Sequence, residues 1–329
     1  MKIVKKSLTL LLALAMTLSL ASCGKETEQE PTVEETPVTT RVAALKGPTA
    51  MGMVKLMSDN EATAEEGGEE DAGQGGYEFT LAASADEVTP SLMKGDLDIA
   101  CVPANLAPVL YIVENGNSVQ SMADLAGRTI VASGKGSTPE YALRYLLTEN
   151  GLNPDADVVV DWKSEHSECV AALASGAATV ALLPQPFVTV AQSKMPDLRV
   201  ALDLTEEWDK LDNGSALLTG VVVARKDFVE EHPTAVATFL EDYGASVSWV
   251  NENTADAAEL IAGYGIVDSA AVAEKALPYC NIVCITGAEM KEKLSGYLQV
   301  LFDADPASVG ADPADESTGL PGDDFYYGA

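Results

Sequence analysis

Four short segments of the sequence place small, hydroxylated or amide residues at the start of a predicted helix. Backbone N–H groups at a helix start lack partners within the helix and lie at the positive end of its dipole, so they favour an anionic or hydrogen-bonding ligand. These segments therefore indicate a site that binds a small solute. The candidate ligand contacts in them are Gly47, Pro48 and Thr49, Asn105, Gly136, Ser137 and Thr138, and Gln185 and Pro186.

The same side chains have a simpler role as helix caps. Ser, Thr and Asn are preferred at the position before a helix, and for each residue alone capping is the more frequent role. Only the convergence of several segments on one place makes a site. Glu165 is a further candidate, because it follows a predicted strand that ends at Trp162 and so belongs to the same edge of the sheet.

Other chemistries find little support in the sequence. Gly136 separates Lys135 from Ser137, so the loop lacks the direct Gly-Lys-Ser/Thr order of a phosphate-binding P-loop. No Ser or Cys lies in a nucleophile elbow, and the two histidines, His166 and His232, have no evident carboxylate or cysteine partners. We therefore predict a binding protein without a catalytic residue, a cofactor or a metal ion.

Predicted strands and helices alternate along the chain and must position these segments. Strands are predicted at residues 41–45, 77–81, 97–102, 129–132, 157–162, 179–183 and 217–224, with helices between most of them. This alternation predicts an α/β fold with mostly parallel sheets, in which ligands lie beyond the carboxyl ends of the strands. Residues 59–76 are acidic and glycine-rich and are interpreted as a disordered surface loop, and residues 228–251 as one helix.

The amino end carries the pattern of an export signal. Lysines precede a charge-free apolar run at residues 8–20, which is short for a membrane span. The run ends in Leu20-Ala21-Ser22-Cys23, which resembles the bacterial lipobox. That resemblance implies a signal peptide at residues 1–22, a lipid on Cys23, and anchoring to the outer face of the cell membrane. The Glu-, Pro- and Thr-rich residues that follow, to residue 40, read as a disordered tether.

Composition narrows the class of partner. Hydrophobic residues make up 47% of the chain, enough for sizeable cores, and the formal charge is −31. Much of the acidity lies in the tether and in the segments 59–78 and 303–324, where it favours solubility. A nucleic-acid partner is disfavoured, because phosphate binding needs concentrated Lys and Arg. Four cysteines remain besides Cys23. Of these, only Cys280 and Cys284 are close enough in sequence that a local disulfide could join them.

Several stretches, taken in order, resemble the substrate-binding proteins of nitrate/taurine/sulfonate-type ABC importers, which have the type II periplasmic-binding fold. The matching stretches are residues 45–49, 94–100 before 103–105, 124–130, and 172–176 leading to 183–186. The resemblance implies two lobes, each a mostly parallel sheet flanked by helices, with a ligand cleft between them. Lobe 1 would hold residues 41–127 and 221–329, and lobe 2 residues 128–220.

The resemblance also implies how the protein acts. A monomer would capture a small solute, such as a sulfonate, nitrate, or a pyrimidine or thiamine precursor, by closure of the lobes. It would then deliver the solute to an ABC permease and its ATPase. Two alternatives remain open at this point: a non-transporting sensor or scaffold lipoprotein, and a surface enzyme on the same fold.

Overall fold

The strands of the described residues form two separate sheets, each flanked by helices. The computed structural model describes residues 37–67, 76–83, 85–103, 110–218, 220–311 and 318–329. The predicted signal peptide, Cys23 and Asn105 lie outside these residues. In chain order the strands are β1 (Thr40–Leu45), β2 (Tyr77–Ala82), β3 (Ile99–Pro103), β4 (Leu110–Glu114), β5 (Thr129–Ser133), β6 (Val159–Lys163), β7 (Val180–Pro184), β8 (Arg199–Asp203) and β9 (Gly220–Ala224).

The first sheet has the strand order β2-β1-β3-β9. β1 runs parallel to β2 and β3, and β9 closes the edge antiparallel to β3. Side chains of β1 alternate between two faces, and Val42 and Ala43 on opposite faces are both fully buried. This explains why the central strand is an almost continuous apolar run.

The second sheet has the order β6-β5-β7-β4-β8. β5 runs parallel to both β6 and β7, whereas β4 pairs antiparallel with β7 and β8. The carboxyl ends of β5, β6 and β7 therefore lie at the same edge of the sheet. The α/β class predicted from the alternation of strands and helices is confirmed.

Helices cover both faces of each sheet. The α-helices of the described residues are α1 (Pro48–Met51), α2 (Val54–Gly67), α3 (Ala85–Lys94), α4 (Thr138–Glu149), α5 (His166–Ala174), α6 (Phe187–Lys194), α7 (Leu204–Asp209), α8 (Lys226–Glu231), α9 (Pro233–Glu252), α10 (Thr254–Gly263), α11 (Ala270–Ala276) and α12 (Gly287–Ala304). Short 3-10 turns lie at Met122–Leu125, Leu277–Tyr279, Pro306–Val309 and Asp323–Phe325. None of the helices in the described part of the chain combines the length and the apolar character that crossing a membrane requires.

Each sheet has its own hydrophobic core. In the first core, α2, α9 and α10 pack on the sheet through side chains such as Met57, Phe239 and Ile261. In the second core, α4, α7 and α12 cover one face of the second sheet, while α5 and α6 cover the other. Trp208 and Tyr297 are almost fully buried there. Burying one such large side chain contributes about 1.5–3 kcal/mol, so these contacts hold the helices to their sheets.

The second sheet takes in two parts of the chain that the sequence analysis assigned to lobe 1. Strand β4, which precedes residue 128, pairs with β7 and β8. Helix α12, which follows residue 220, buries Tyr297 and Leu301 in the second core. The predicted boundaries at residues 127 and 220 therefore do not match the way the chain is shared between the sheets. The chain crosses from one sheet to the other a third time, just before α12.

Two local predictions also differ from the structure. Residues 59–67 belong to helix α2 and are not a loop, because their Ala and Glu residues favour a helix that the first core already holds at its amino end. Residues 68–75 lie outside the described residues. The helix predicted at 228–251 is two helices, α8 and α9, which meet at His232. Pro233 begins α9, since proline suits the first turn of a helix and disrupts its interior.

Candidate functional site

A cavity of about 450 Å³ lies at the carboxyl ends of β5, β6 and β7. Its volume falls within the range usual for small-molecule sites. Each of the three strands contributes the segment that follows it, as expected for a ligand site in an open parallel sheet. The lining residues are Ser133, Gly134, Ser137 and Pro139 after β5, Ser164, Glu165, His166 and Ser167 after β6, and Phe187 after β7.

The loop after β5 owes its shape to glycine. Gly134 has a φ of +85°, and a Cβ atom there would lie 2.8 Å from the Cγ atom of Pro139. Both facts require glycine at this position. The Ser137 hydroxyl donates to the Gly134 carbonyl at 2.7 Å and holds the turn from which helix α4 begins.

His166 forms the inner wall of the cavity, at the first position of α5. Its Nδ1 atom lies 2.5 Å from the Oγ atom of Ser133, and its ring packs against Phe187 with 5.0 Å between the ring centroids. Burial lowers the pKa of His166 below its usual value, because the imidazolium form loses hydration. Cys169 lies one turn further along α5, where burial raises the pKa of its thiol.

Two glutamates occupy the helix starts beside the cavity. The Glu140 carboxylate accepts a hydrogen bond from the Gly136 amide at 2.7 Å, and the Glu168 carboxylate accepts one from the Ser164 amide at 2.8 Å. Of these two amides, that of Gly136 was predicted from the sequence to be free for a ligand. An anionic solute that uses them must displace the protein's own carboxylates.

Of the residues predicted to contact a ligand, Ser137 and Glu165 line this cavity, and Gly136 lies in the same loop. Thr138 is fully buried instead, and the Tyr297 hydroxyl donates to its Oγ1 atom at 3.1 Å. Gln185 is also buried, and its Oε1 atom accepts a hydrogen bond from Thr189.

The remaining predicted contacts stand apart from this cavity. Gly47 precedes α1, and Pro48 and Thr49 are the first two residues of that helix, which follows β1 of the first sheet. None of the three lines the cavity, and the Thr49 hydroxyl donates to the Leu45 carbonyl at 2.7 Å. Pro186 follows β7 through a cis peptide bond with Gln185, next to the lining residue Phe187. Asn105 lies outside the described residues.

A family model described as "ABC transporter, phosphonate, periplasmic substrate-binding protein" matches residues 70–275, which is more than half of the chain. The chain belongs to this family. The predicted resemblance to substrate-binding proteins of ABC importers is thereby confirmed, and the periplasmic character of the family places this substrate-binding protein outside the cytoplasm. Comparison with curated proteins gives no match.

Solved structures with a similar fold include a protein described as an ABC transporter and two sulfonate-binding proteins. An ABC transporter protein of Parabacteroides distasonis has 22% identity and a TM-score of 0.65, covering 87% of this chain and 99% of its own. The periplasmic aliphatic sulphonate binding protein SsuA of Escherichia coli has 16% identity and a TM-score of 0.64, covering 83% and 94%. The alkanesulfonate-binding protein SsuA of Xanthomonas axonopodis pv. citri, bound to MOPS, has 15% identity and a TM-score of 0.55, with the same coverage. At these low identities, the structural similarity establishes the fold alone.

The sequence analysis missed most residues that line the cavity of this substrate-binding protein. Ser133, Ser164, Ser167 and Phe187 were not candidates, and His166 was set aside because it had no evident carboxylate or cysteine partner. The signal was available for all five, because each is the last residue of a parallel strand or lies within four residues of its end. The ring of His166 contacts Phe187, so the segments that follow β6 and β7 meet there. Only the structure could show this contact.

A second, smaller cavity of about 230 Å³ lies in the first sheet, between β2 and α3. Its lining includes the carboxylates of Glu87 and Asp96 beside the hydroxyls of Thr80 and Ser91, so it suits an anionic solute less well than the first cavity. Within the described residues, no group of His, Cys, Asp and Glu side chains is placed to hold a metal ion. Cys280 and Cys284 are both free thiols.

Proposed function

We propose that this protein captures a small oxyanionic solute of the phosphonate or sulfonate class and delivers it to an ABC permease and its ATPase. The observation that carries the proposal is the cavity lined by serine hydroxyls at the carboxyl ends of three parallel strands, in a chain of a substrate-binding family. The family is described as one of substrate-binding proteins, and the described lining of the cavity supplies hydroxyl groups that can bind a solute.

The lining favours a tetrahedral oxyanion head group. Ser133, Ser137, Ser164 and Ser167 line the cavity with hydroxyls, and those of Ser133, Ser137 and Ser167 would exchange their present partners for the solute. Helices α4 and α5 both begin at the cavity. Hydroxyls and helix starts bind anions without carrying a full charge, and hydrogen bonds to a charged partner contribute about 1.5–3 kcal/mol each. The described lining residues include neither lysine nor arginine.

The relatives support the same head-group class. The description of the matching family names phosphonate. Those of the E. coli and Xanthomonas proteins with a similar fold name aliphatic sulphonate and alkanesulfonate as what they bind. Phosphonates and sulfonates both present three oxygens on a tetrahedral centre attached to carbon. A site built from neutral donors suits this shared geometry.

Closure of two lobes is part of the proposal. The solute would be enclosed between the second sheet and the first, with Gly47, Pro48, Thr49 and Asn105 contributing from the side of the first sheet. The protein would act as a monomer, held at the outer membrane face by a lipid on Cys23 and the tether that follows it.

Calorimetry and thermal-shift measurements on the purified mature chain test the solute class. A panel of alkylphosphonates, alkanesulfonates, nitrate, amino acids and thiamine-related pyrimidines should contain at least one oxyanion that stabilises the fold, by about 2.7 kcal/mol at a hundred times its Kd. Ser167→Ala should weaken its binding at least about tenfold, because the variant removes a donor to a charged group.

Ser193→Ala is the matched control for that variant. Ser193 is an exposed helical serine on α6 whose hydroxyl donates to the Val190 carbonyl, and it does not line the cavity. Its replacement should leave binding unchanged. A panel in which no anion stabilises the well-folded protein would refute the proposed function.

A further inference from the structure

His166 is the one cavity-lining side chain in the described residues that can become a cation. The other titratable side chain in the lining is Glu165, which is an anion when ionised and is exposed. An oxyanionic solute therefore enters a site whose positive charge depends on whether His166 holds a proton.

The surroundings of His166 leave it neutral in the empty site. Ser133 from β5 contacts its Nδ1 atom and Phe187 from α6 packs on its ring. Burial is the cause of its lowered pKa, so at neutral pH the imidazole form predominates.

Charged groups on the neighbouring elements are engaged elsewhere. Glu140 of α4 and Glu168 of α5 accept hydrogen bonds from backbone amides, and Lys163 of β6 pairs with Asp161 at 2.9 Å. Glu165 accepts a hydrogen bond from the Ser167 hydroxyl, and Lys135, in the loop after β5, is exposed. The solute itself is thus the charge best placed to change the protonation of His166.

We propose that the solute's oxyanion is bound together with one proton on His166, so that binding takes up a proton and tightens as pH falls. This inference rests on the proposed function, since it requires an oxyanion in the cavity. It adds that the protein selects for solutes able to stabilise an imidazolium, and that affinity depends on the pH outside the cell.

The direction follows from linkage. A bound anion raises the pKa of His166 above its value in the empty site. Affinity therefore increases as pH falls through the pKa of the bound state and levels off below the lower pKa of the empty state. Between the two values the dissociation constant changes by up to about tenfold per pH unit, the limit for one proton.

Titration calorimetry on the mature chain, between pH 5 and 8.5 and in two buffers of different ionisation enthalpy, measures both the affinity and the proton uptake. The probes are ethanesulfonate and methylphosphonate. The sulfonate keeps its charge across this range, so any proton taken up with it is held by the protein. With the phosphonate, comparison between variants removes the part due to titration of the ligand.

His166→Asn is the test variant and His232→Asn the matched control. Asn retains a polar atom near the position of Nδ1 that can meet the Ser133 hydroxyl, but it cannot carry the proton. His232, the other histidine of the chain, lies between α8 and α9 against Phe228 and does not line the cavity. We expect H166N to bind ethanesulfonate with an affinity that does not vary with pH and without proton uptake, and H232N to behave as the wild type.

A second measurement needs no variant. The ring resonances of the two histidines, followed by NMR against pH, should show a higher pKa for one histidine when the probe is bound and no change for the other. Tight binding without proton uptake, or uptake that persists in H166N, would overturn the inference while the proposed function stands. Absence of binding by every anion of the panel would overturn both.

Discussion

Glu114 is a carboxylate buried inside the second core, with its side chain only 3% exposed. Burial opposes its ionisation, but hydrogen bonds from the Ser118 hydroxyl and amide, the Val119 amide and Arg199 outweigh this effect and lower its pKa to about 2. Because the pKa in the folded state lies below that in the unfolded chain, the ionised group stabilises the fold above the unfolded value. This stabilisation is lost as pH falls towards 2.

Replacing Glu114 by Gln should lower the free energy of unfolding by about 3 kcal/mol at pH 7, since a pKa difference of about two units corresponds to that amount. The gap to the wild type should narrow steadily below about pH 4.5. Urea unfolding at pH 7 and pH 3 measures it. Glu78→Gln, at an exposed position of β2, is the control and should change stability by less than about 0.5 kcal/mol at either pH. A gap that is equal at both pH values would contradict this account.

The sequence of helix α12 does not determine which of the two sheets the helix covers. Its apolar stripe predicted a helix, but an amphipathic face does not say which sheet it covers. The structure places Leu294, Tyr297 and Leu301 in the second core, and the Tyr297 hydroxyl reaches Thr138 at the start of α4. Because α4 begins at the cavity, this contact of α12 helps to hold the start of α4 in place beside the cavity.

Leu301→Ala should therefore destabilise the protein by about 2–5 kcal/mol, the usual range for truncating a buried leucine. Hydrogen exchange should quicken in β5 and β7 of the second sheet more than in β1 of the first, because the lost contacts belong to the second core. Gln299→Ala, an exposed position on the same helix, is the control and should stay within about 0.5 kcal/mol of the wild type. Faster exchange in β1 alone would place α12 on the first core instead.

At the scale of the whole molecule, the two cores are joined by direct contacts as well as by chain crossings. The Tyr111 hydroxyl of β4, in the second sheet, donates to the Tyr279 carbonyl at 2.7 Å. Tyr279 ends the short turn Leu277–Tyr279, whose Leu277 is buried in the first core. This hydrogen bond joins the two cores directly, and the proposed closure of the lobes would have to accommodate it.

The proposed anchoring is a prediction for the mature protein as a whole. Wild-type protein expressed in a bacterial host should incorporate labelled palmitate and sediment with membranes, because lipid on Cys23 is the proposed anchor. Cys23→Ser should abolish both labelling and membrane association. Cys280→Ser, which changes another cysteine of the same chain, should retain both. Labelling that survives C23S would remove the lipid from the proposal.

The sequence alone determined those features that depend on local pattern. Alternating strands and helices predicted the α/β class, and the order of short motifs indicated the substrate-binding family. The rule that ligands lie beyond the carboxyl ends of parallel strands placed Ser137 and Glu165 at one site, and both line one cavity of the structure. These features are readable because hydrophobic periodicity and turn chemistry act over a few neighbouring residues.

The tertiary structure was needed for contacts between residues far apart in the chain. Thr138 and Gln185 looked equivalent to Ser137 in sequence, yet the first points towards Tyr297 and the second towards Thr189, inside the protein. The pairing of Ser133 with His166 and the position of α12 likewise depend on packing across the sheet. Such packing minimises exposed apolar area over the whole molecule, so no single stretch of sequence carries the information for it.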